Sequence, residues 1–272
     1  MFKNSIKDSL NYLRPFLIGR LIYENKHIVN DLSTMMVLNK NGDILTTAKN
    51  ADIFINCKEY NETFPPILKE ISEAKPKNIP KIEKKYGIEK NTVVGMHNII
   101  IDIAENPGKL NIIKHPYLDL AIIQIENHDN LLVNKFPKFT SKKLSIGESI
   151  CSVGFSFPEY EAFKYDEENY KIVSDFKFMN FPIFPTEGMI QRQIVDKEDN
   201  ISMFEMSNII VLGQEGGPVL NKKGLVCGMI CGFRIAQDFA GSIRIGMAIN
   251  NETIMKFLNE HNIEYEVENE KE

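Results

Sequence analysis

The stretch that decides the fold is LGQEGGPVLN, residues 212–221, together with the segment GLVCGMICG, residues 224–232, that follows it. Adjacent glycines before a proline permit a tight turn with positive φ and a close approach to neighbouring backbone. The apolar residues on either side of Lys223-Gly224 predict a β-hairpin. Glu215 lies at the centre of the turn, so the side chain that this turn presents is a carboxylate.

Length, composition and charge limit the function classes. The chain has 272 residues, with 43% hydrophobic and 25% charged residues, as is ordinary for a soluble globular protein. The net charge of −5 argues against general nucleic-acid binding, which requires a basic surface. No run approaches the roughly 20 apolar residues of a membrane span, and the N-terminus is too polar to be a signal peptide. We therefore expect a cytoplasmic protein that binds neither nucleic acid nor membrane.

Short apolar runs separated by turn residues predict a mostly β protein. Asn41-Gly42, between two apolar segments, is a strong hairpin signal. Further strands are expected within residues 92–104, 118–125, 149–155 and 202–210. Helices are expected near the ends of the chain, within residues 1–14 and over 250–261, where Asn250 is the expected N-cap.

Three polar segments interrupt this pattern. Residues 62–90 are rich in Lys, Glu and Pro and are interpreted as an exposed helical insertion, with partner docking as a secondary possibility. Residues 158–170 are interpreted as a long polar loop. Residues 262–272 form an acidic tail whose last residues, EVENEKE, are expected to fray.

Cysteines and histidines offer little independent chemistry. The cysteines are Cys57, Cys151, Cys227 and Cys231. None forms a CxxC pair and all lie in apolar stretches, which indicates buried free thiols, although a reactive thiol at Cys227 or Cys231 is left open. The histidines considered as bases are His27, His97, His115 and His128. We interpret them as surface or structural residues, and we expect neither a metal nor a cofactor, since no ligand spacing supports one.

Six segments resemble, in the right order, those of trypsin-like serine proteases, and in particular their HtrA/Deg-type branch. They are LTTAKNADIF (45–54), LDLAIIQI (118–125), IGESICSVGFSFPE (146–159), TEGMIQRQI (186–194), LGQEGGPVLN with the strand after it (212–232) and IGMAINNETI (245–254). The resemblance covers roughly residues 15–260. It implies one protease-like domain over residues 1–260, built from two six-stranded antiparallel β-barrels, one at about 15–130 and the other at about 131–248.

The resemblance also aligns three residues with a catalytic triad. Lys49 stands where the family has histidine, Asp119 keeps the aspartate, and Glu215 stands where the family has serine. A glutamate there has no hydroxyl proton to lose and forms no stable acyl product. A lysine beside two carboxylates stays charged and is a poor base. We therefore expect an inactive triad whose side chains form an acid–base–acid row of ion pairs.

Binding groups around the triad are implied in the same way. The oxyanion hole corresponds to the backbone N–H groups of Gly213 and Glu215, and we expect the Glu215 carboxylate or the Gly213 peptide orientation to close it. The strand at 225–231 is the implied peptide-binding edge. Its residues are Leu225, Cys227, Met229 and Cys231. A specificity pocket is implied beside residues 208–215 and 228–234.

These features predict a pseudoprotease, that is, a catalytically inactive trypsin-like protein that binds a protein or peptide partner. The first alternative is an atypical hydrolase that uses Glu215 with a water molecule, or Lys49 as a base. The second alternative is an oligomeric scaffold that assembles through the N-terminal helix and the insertion at 62–90.

Overall fold

The computed structural model describes residues 2–106, 108–196, 201–238 and 241–268. The elements, in chain order, are α1 (Lys3–Ser9), β1 (Leu13–Ile22), β2 (Ile28–Val37), β3 (Asp43–Thr46), α2 (Ala48–Glu73), α3 (Ile79–Tyr86), β4 (Val93–Ile100), β5 (Ala104–Asn106), β6 (Lys109–Lys114), β7 (Ala121–Glu126), β8 (Asp129–Leu131), β9 (Lys138–Phe139), β10 (Ser149–Ser152), β11 (Glu159–Asp166), β12 (Lys171–Asn180), β13 (Thr186–Val195), β14 (Ile201–Met206), β15 (Pro218–Leu220), β16 (Val226–Asp238), β17 (Gly241–Asn250), α4 (Asn251–Glu260) and β18 (Glu266–Val267). A 3₁₀ turn, Pro76–Asn78, separates α2 from α3.

Two mainly antiparallel sheets make up the fold. The first has six strands in the order β4-β1-β2-β3-β7-β6. The second contains a closed ring in the order β15-β10-β13-β14-β17-β16, because β15 pairs with both β10 and β16. Within the described ranges β4 and β6 do not pair, so the first six-stranded unit is open. The predicted all-β architecture of two six-stranded units with short terminal helices is confirmed, and only the second unit closes.

Both hairpins predicted from dipeptides are present. β2 and β3 pair antiparallel with Met36 opposite Leu45, and Gly42 in their turn has a φ of +81°. β15 and β16 pair antiparallel, and Gly224 in their turn also has a φ of +81°. A positive φ is the conformation that favours glycine over residues with a Cβ, so the glycine in each dipeptide sets the turn.

A single hydrophobic cluster joins the two sheets. It contains Phe16 and Ile44 from the first sheet and Met229 and Ile249 from the second, all fully buried. Because the cluster is shared, the two sheets cannot separate without exposing apolar surface to water. The loops between the sheets are therefore held at fixed positions.

Helix α2 is the largest departure from the expected fold. It begins at Ala48, directly after β3, rather than inside the predicted insertion at 62–90, and it continues past Pro65 and Pro66. Leu68 anchors its second half, since it is buried in a cluster with Leu21, Val94 and Ile172. Prolines inside a helix cost about 3 kcal/mol, and here tertiary packing outweighs that propensity.

Residues 158–170 are not a loop, and that prediction is wrong. They belong to a hairpin of β11 and β12 that reaches across to the first sheet. The Tyr160 hydroxyl donates to the Asp31 carbonyl oxygen at 2.7 Å, and Phe163 packs against the site where Gly19 lacks a Cβ. The buried residues Tyr160 and Ala162 alternate with charged ones, which is a strand period that the polar composition obscured.

The C-terminal tail is also more ordered than expected. Val267 lies in β18, which pairs in parallel with β9, and the Glu268 carboxylate accepts a hydrogen bond from the Thr140 hydroxyl at 2.7 Å. The expectation of fraying is therefore wrong for residues 266–268, and residues 269–272 lie outside the described ranges. Asn250 takes the N-cap position of α4, but its side chain makes no capping hydrogen bond.

Candidate functional site

The Gly-rich turn at 213–217 fits between the two sheets with no room for side chains at its glycines. A Cβ on Gly216 would lie 2.1 Å from the Thr34 carbonyl oxygen, and one on Gly217 would lie 2.1 Å from that of Val153. A Cβ on Gly213 would lie 2.5 Å from the Phe155 carbonyl oxygen. The glycines of the motif are thus required by backbone contact, whatever the side chain at the centre of the turn does.

Hydrogen bonds fix the turn against the first sheet. The Glu215 carbonyl oxygen accepts from the Thr34 amide at 3.1 Å and from the Ser33 hydroxyl at 2.9 Å. The Gly216 amide donates to the Ile230 carbonyl oxygen at 2.8 Å. The Thr34 hydroxyl donates to the Gly213 carbonyl oxygen at 2.7 Å. The backbone of residue 215 is therefore held on both sides, and its side chain is aimed by a rigid support.

The first turn of α2 is tied to the same loop. Thr47 is the N-cap, and its hydroxyl accepts from the Asn50 amide at 3.2 Å. The buried Asn50 side-chain amide donates to Ser33 at 2.7 Å and to Thr46 at 2.9 Å. Since Ser33 in turn donates to the Glu215 carbonyl oxygen, the start of the helix and the Gly-rich turn are connected through one buried network.

Lys49 and Asp119 form the pair that the resemblance predicted. The Lys49 backbone amide donates to Asp119 Oδ1 at 2.9 Å, and Lys49 Nζ lies 3.0 Å from Asp119 Oδ2. The carboxylate thus satisfies one of the free amides at the start of α2, where negative charge is favourable. The Asp119 carboxylate raises the pKa of Lys49, so the lysine is more firmly charged than usual and is not a base.

Glu215 lies outside this close pair, so only the Lys49–Asp119 half of the predicted row is formed at contact distance. Within the described part of the chain, its half-buried carboxylate has neither a hydrogen-bond nor an ion-pair partner. Burial raises the pKa of Glu215, the charge of Lys49 opposes that rise, and the charges of Asp119 and Asp31 add to it. Glu215 Oε1 lies 3.2 Å from the position that a Cβ on Gly232 would take. The carboxylate therefore rests over the start of the outer part of β16.

The implied oxyanion hole corresponds to the backbone amides of Gly213 and Glu215. Among the described residues, neither the Gly213 nor the Glu215 backbone N–H has an acceptor in the protein. The Glu215 carboxylate does not accept from either of them, so no hydrogen bond supports the expected closure by this side chain. Gly213 has a φ of +100°, a conformation that few residues other than glycine adopt.

The predicted peptide-binding edge at 225–231 is wrong, because that stretch is internal to the sheet. β16 pairs with β17 on one side and, from Val226 to Met229, with β15 on the other. Cys227 and Met229 are fully buried, and Leu225 closes the turn with Asn221. Beyond Cys231, β16 keeps its pairing with β17 but has no strand on its other side within the described ranges. The free edge therefore runs over residues 232–237.

The space expected for a specificity pocket is partly filled. Ile210 is 1% exposed, and its Cγ1 lies 2.6 Å from where a Cβ on Gly246 would be. Asn208 is buried as well, so side chains occupy the region beside 208–210. An open groove of about 370 Å³ lies next to it, between β2 and the loops of the second sheet. Its lining consists of Asn30, Asp31, Leu32, Phe157, Pro158, Val211, Leu212 and Arg244.

Among the described residues, the cysteines near this site are buried thiols rather than reactive nucleophiles. Cys231 lies beside the charged side chains, but it is 7% exposed and burial raises the pKa of its thiol to about 12. Burial raises the pKa of the Cys227 thiol as well. His97 Nε2 lies 3.0 Å from the Ser174 hydroxyl, but that pair sits where β12 meets β4. The carbonyl oxygen of Met96, the residue before His97, accepts a hydrogen bond from the Cys57 thiol, and Cys57 lies about 12 Å along α2 from Lys49.

The remaining candidates have structural roles or none. His115 Nδ1 accepts from two backbone amides of its own turn, which makes it a turn residue. Among the residues that the structure covers, no three His, Cys, Asp or Glu side chains are grouped to hold a metal ion. In the same residues, no helix is both long enough and apolar enough to cross a membrane.

Comparisons with known proteins add one structural likeness. No family model and no curated protein sequence matches the chain. Among solved structures, the chain is similar to a crystal structure described as the Rv3671c protease in an inactive form. The TM-score is 0.47 and the sequence identity 12%, over 94% of this chain and 92% of that one. The fold class given above stands on the strand order and register of this chain.

Proposed function

We propose that the chain is a trypsin-like pseudoprotease that binds a peptide segment of a partner protein without hydrolysing it. The observation that carries this proposal is the side chain on the Gly-rich turn: a carboxylate, held on a rigid backbone beside a charged Lys49–Asp119 pair. Acyl transfer at this site requires a hydroxyl or thiol nucleophile and a neutral base. The turn presents neither.

Peptide binding needs none of the missing groups. An extended segment adds to an exposed strand edge through backbone hydrogen bonds, and side-chain pockets give it selectivity. The edge at 232–237 supplies the first feature, and the groove between β2 and the loops of the second sheet, lined by Phe157, Leu212 and Arg244 among others, supplies the second. Because the turn is fixed by its own packing, the cleft keeps its shape without a working triad.

Labelling with a fluorophosphonate probe, together with hydrolysis of a fluorescent casein, tests the first half of the proposal. The unaltered protein should remain unlabelled and give no turnover above a buffer blank. The double variant Lys49→His/Glu215→Ser should be labelled at position 215, because the turn and Asp119 are already in place. The single variant Lys49→His serves as the matched control and should stay unlabelled, since it keeps the carboxylate.

Two results would contradict the proposal. One is labelling of the unaltered protein at any residue, which would reveal a nucleophile that the geometry does not show. The other is turnover that disappears in Glu215→Gln, which would favour the atypical hydrolase in which Glu215 activates a water molecule.

A further inference from the structure

We infer that the cleft selects an extended peptide that places a cationic group against Glu215: a lysine or arginine side chain, or a free N-terminal ammonium. This inference rests on the proposed function, because it names the class of peptide for the same cleft. It depends on three features of the described residues: the missing partner of Glu215, the charges around it, and its position on the free strand edge.

The first feature is that, among the described residues, no cation makes a contact-distance ion pair with Glu215. The nearest lysine, Lys49, holds Asp119 with both its backbone amide and its ammonium group. Glu215 is half-buried, and hydrogen bonds to its carbonyl oxygen hold its backbone in place, so the point from which its side chain extends is fixed. A partly desolvated carboxylate without a partner is costly, and an arriving cation would remove that cost.

The second feature is the sign of the surrounding charge. The charge of Lys49 lowers the pKa of Glu215 and the charges of Asp119 and Asp31 raise it, so the fixed charges around Glu215 are one ammonium group and two carboxylates. Asp31 is itself paired with Arg20 at 2.7 Å.

Further along β16, Arg234 is the next cation. It binds the buried Glu205, which also pairs with Arg192 at 2.6 Å. Arg234 is therefore held by Glu205 rather than by Glu215, and the carboxylate on the turn remains open to a ligand.

The third feature is where the carboxylate lies on the strand. Its Oε1 is 3.2 Å from the Cβ position of Gly232, at the start of the free edge. In a strand added to that edge, the residue opposite Gly232 would have its Cβ about 4.5–5.5 Å away, beside the Glu215 oxygens. Gly232 has no side chain to occupy this space. The geometry therefore assigns the cation to one defined position of the bound peptide rather than to the cleft in general.

A positional-scanning library of fluorescent octapeptides, read by fluorescence anisotropy, tests this assignment. In one arm the peptides are N-acetylated, and one position at a time is lysine, arginine, norleucine or glutamate. In the second arm the same peptides carry a free N-terminus. A cation preference confined to one side-chain position identifies a lysine or arginine as the source. A preference seen only with the free terminus identifies the ammonium group.

We expect lysine or arginine, or the free terminus, to bind about tenfold tighter than norleucine, as for a charge-assisted contact. The preference should vanish in Glu215→Gln, persist in Glu215→Asp and reverse towards glutamate in Glu215→Lys. Glu59→Gln is the matched control, since it removes an exposed carboxylate of α2 and should leave the preference unchanged. Circular dichroism confirms that each variant folds.

The outcomes separate the inference from the function on which it rests. If peptides bind but no cation is preferred, or if Glu215→Gln keeps the preference, the inference is overturned and the peptide-binding function stands. If no peptide in either arm binds, the peptide-binding function falls, and the inference falls with it.

Discussion

The substitution Gly216→Ala tests whether the Gly-rich turn is maintained by packing rather than by catalysis. The residue has a φ of +86°, and a Cβ on it would lie 2.1 Å from the Thr34 carbonyl oxygen and 2.9 Å from the Thr46 hydroxyl oxygen. A contact of 2.1 Å with backbone has no flexible group to move aside, so the whole turn has to shift.

The cost of this substitution has two parts. An alanine in the left-handed region costs about 1–2 kcal/mol. Displacement of the turn weakens two hydrogen bonds, from the Thr34 amide to Glu215 and from Gly216 to Ile230, at roughly 0.5–1.5 kcal/mol each. The sum is about 2–5 kcal/mol, which is a large share of the 5–15 kcal/mol that stabilises a typical domain.

Chemical denaturation followed by circular dichroism measures this loss, with Gly147→Ala as the matched control. Gly147 has a nearly identical φ of +85°, but a Cβ there would meet nothing within 4 Å. The control therefore carries only the conformational cost, about 1–2 kcal/mol. Equal losses in the two variants would refute the reasoning, because they would show that the turn has room for a side chain.

Four further predictions concern the charged side chains and the thiols. Asp119→Asn should lower the free energy of unfolding in urea by about 1–2 kcal/mol, since it weakens the cap of α2 and removes an ion pair whose lysine is largely exposed. An unchanged midpoint would contradict the capping role. Burial raises the pKa of Glu215, so the folded state loses stability as pH rises from the ordinary glutamate pKa through the raised one, and Glu215→Gln should become relatively more stable across that window. Arg234 and Arg192 lower the pKa of Glu205, so the stability that its carboxylate contributes is present above the ordinary glutamate pKa and is lost as pH falls through the lowered one. The difference in free energy of unfolding between Glu205→Gln and the unaltered protein should therefore shrink on acidification. Plotted against pH from 3 to 8, this difference should have a slope of opposite sign to that for Glu215→Gln. A disulfide reagent at pH 8 should react first at Cys57, which is half-buried, and only after unfolding at Cys231, whose thiol pKa is raised to about 12; rapid labelling of Cys231 in the folded protein would show that the cleft opens further than the structure indicates.

Local chemistry explains which elements were predictable. Asn41-Gly42 and Lys223-Gly224 each specify a turn through the φ of one glycine, so both hairpins follow from short sequences. The pairing of Lys49 with Asp119 was predicted through the order of the resembling segments. These predictions need no knowledge of distant neighbours beyond the order in which the segments occur.

The errors arose where distant neighbours decide the outcome. α2 runs through Pro65 and Pro66 because Leu68 packs on the first sheet, which no local rule reports. The strand at 159–166 is held in place because its own Tyr160 and Phe163 contact the first sheet, at Asp31 and Gly19. The free edge of β16 lies at 232–237 rather than at the predicted 225–231, because β15 covers the strand as far as Met229. The length of the β15–β16 pairing is set by the closed ring of the second sheet.

The sequence by itself determined the turn chemistry, the alternation that makes most of the strands, and the identity of the side chains at positions 49, 119 and 215. Only the tertiary structure decided that Lys49 makes its contact-distance ion pair with Asp119, and that Glu215 lies over the edge of β16 that is free within the described residues. The physical reason is the separation along the chain over which each kind of interaction acts. A residue's conformational preferences act over a few neighbours along the chain, whereas the partner of a charge depends on which remote segments the shared core brings within a few ångströms of it.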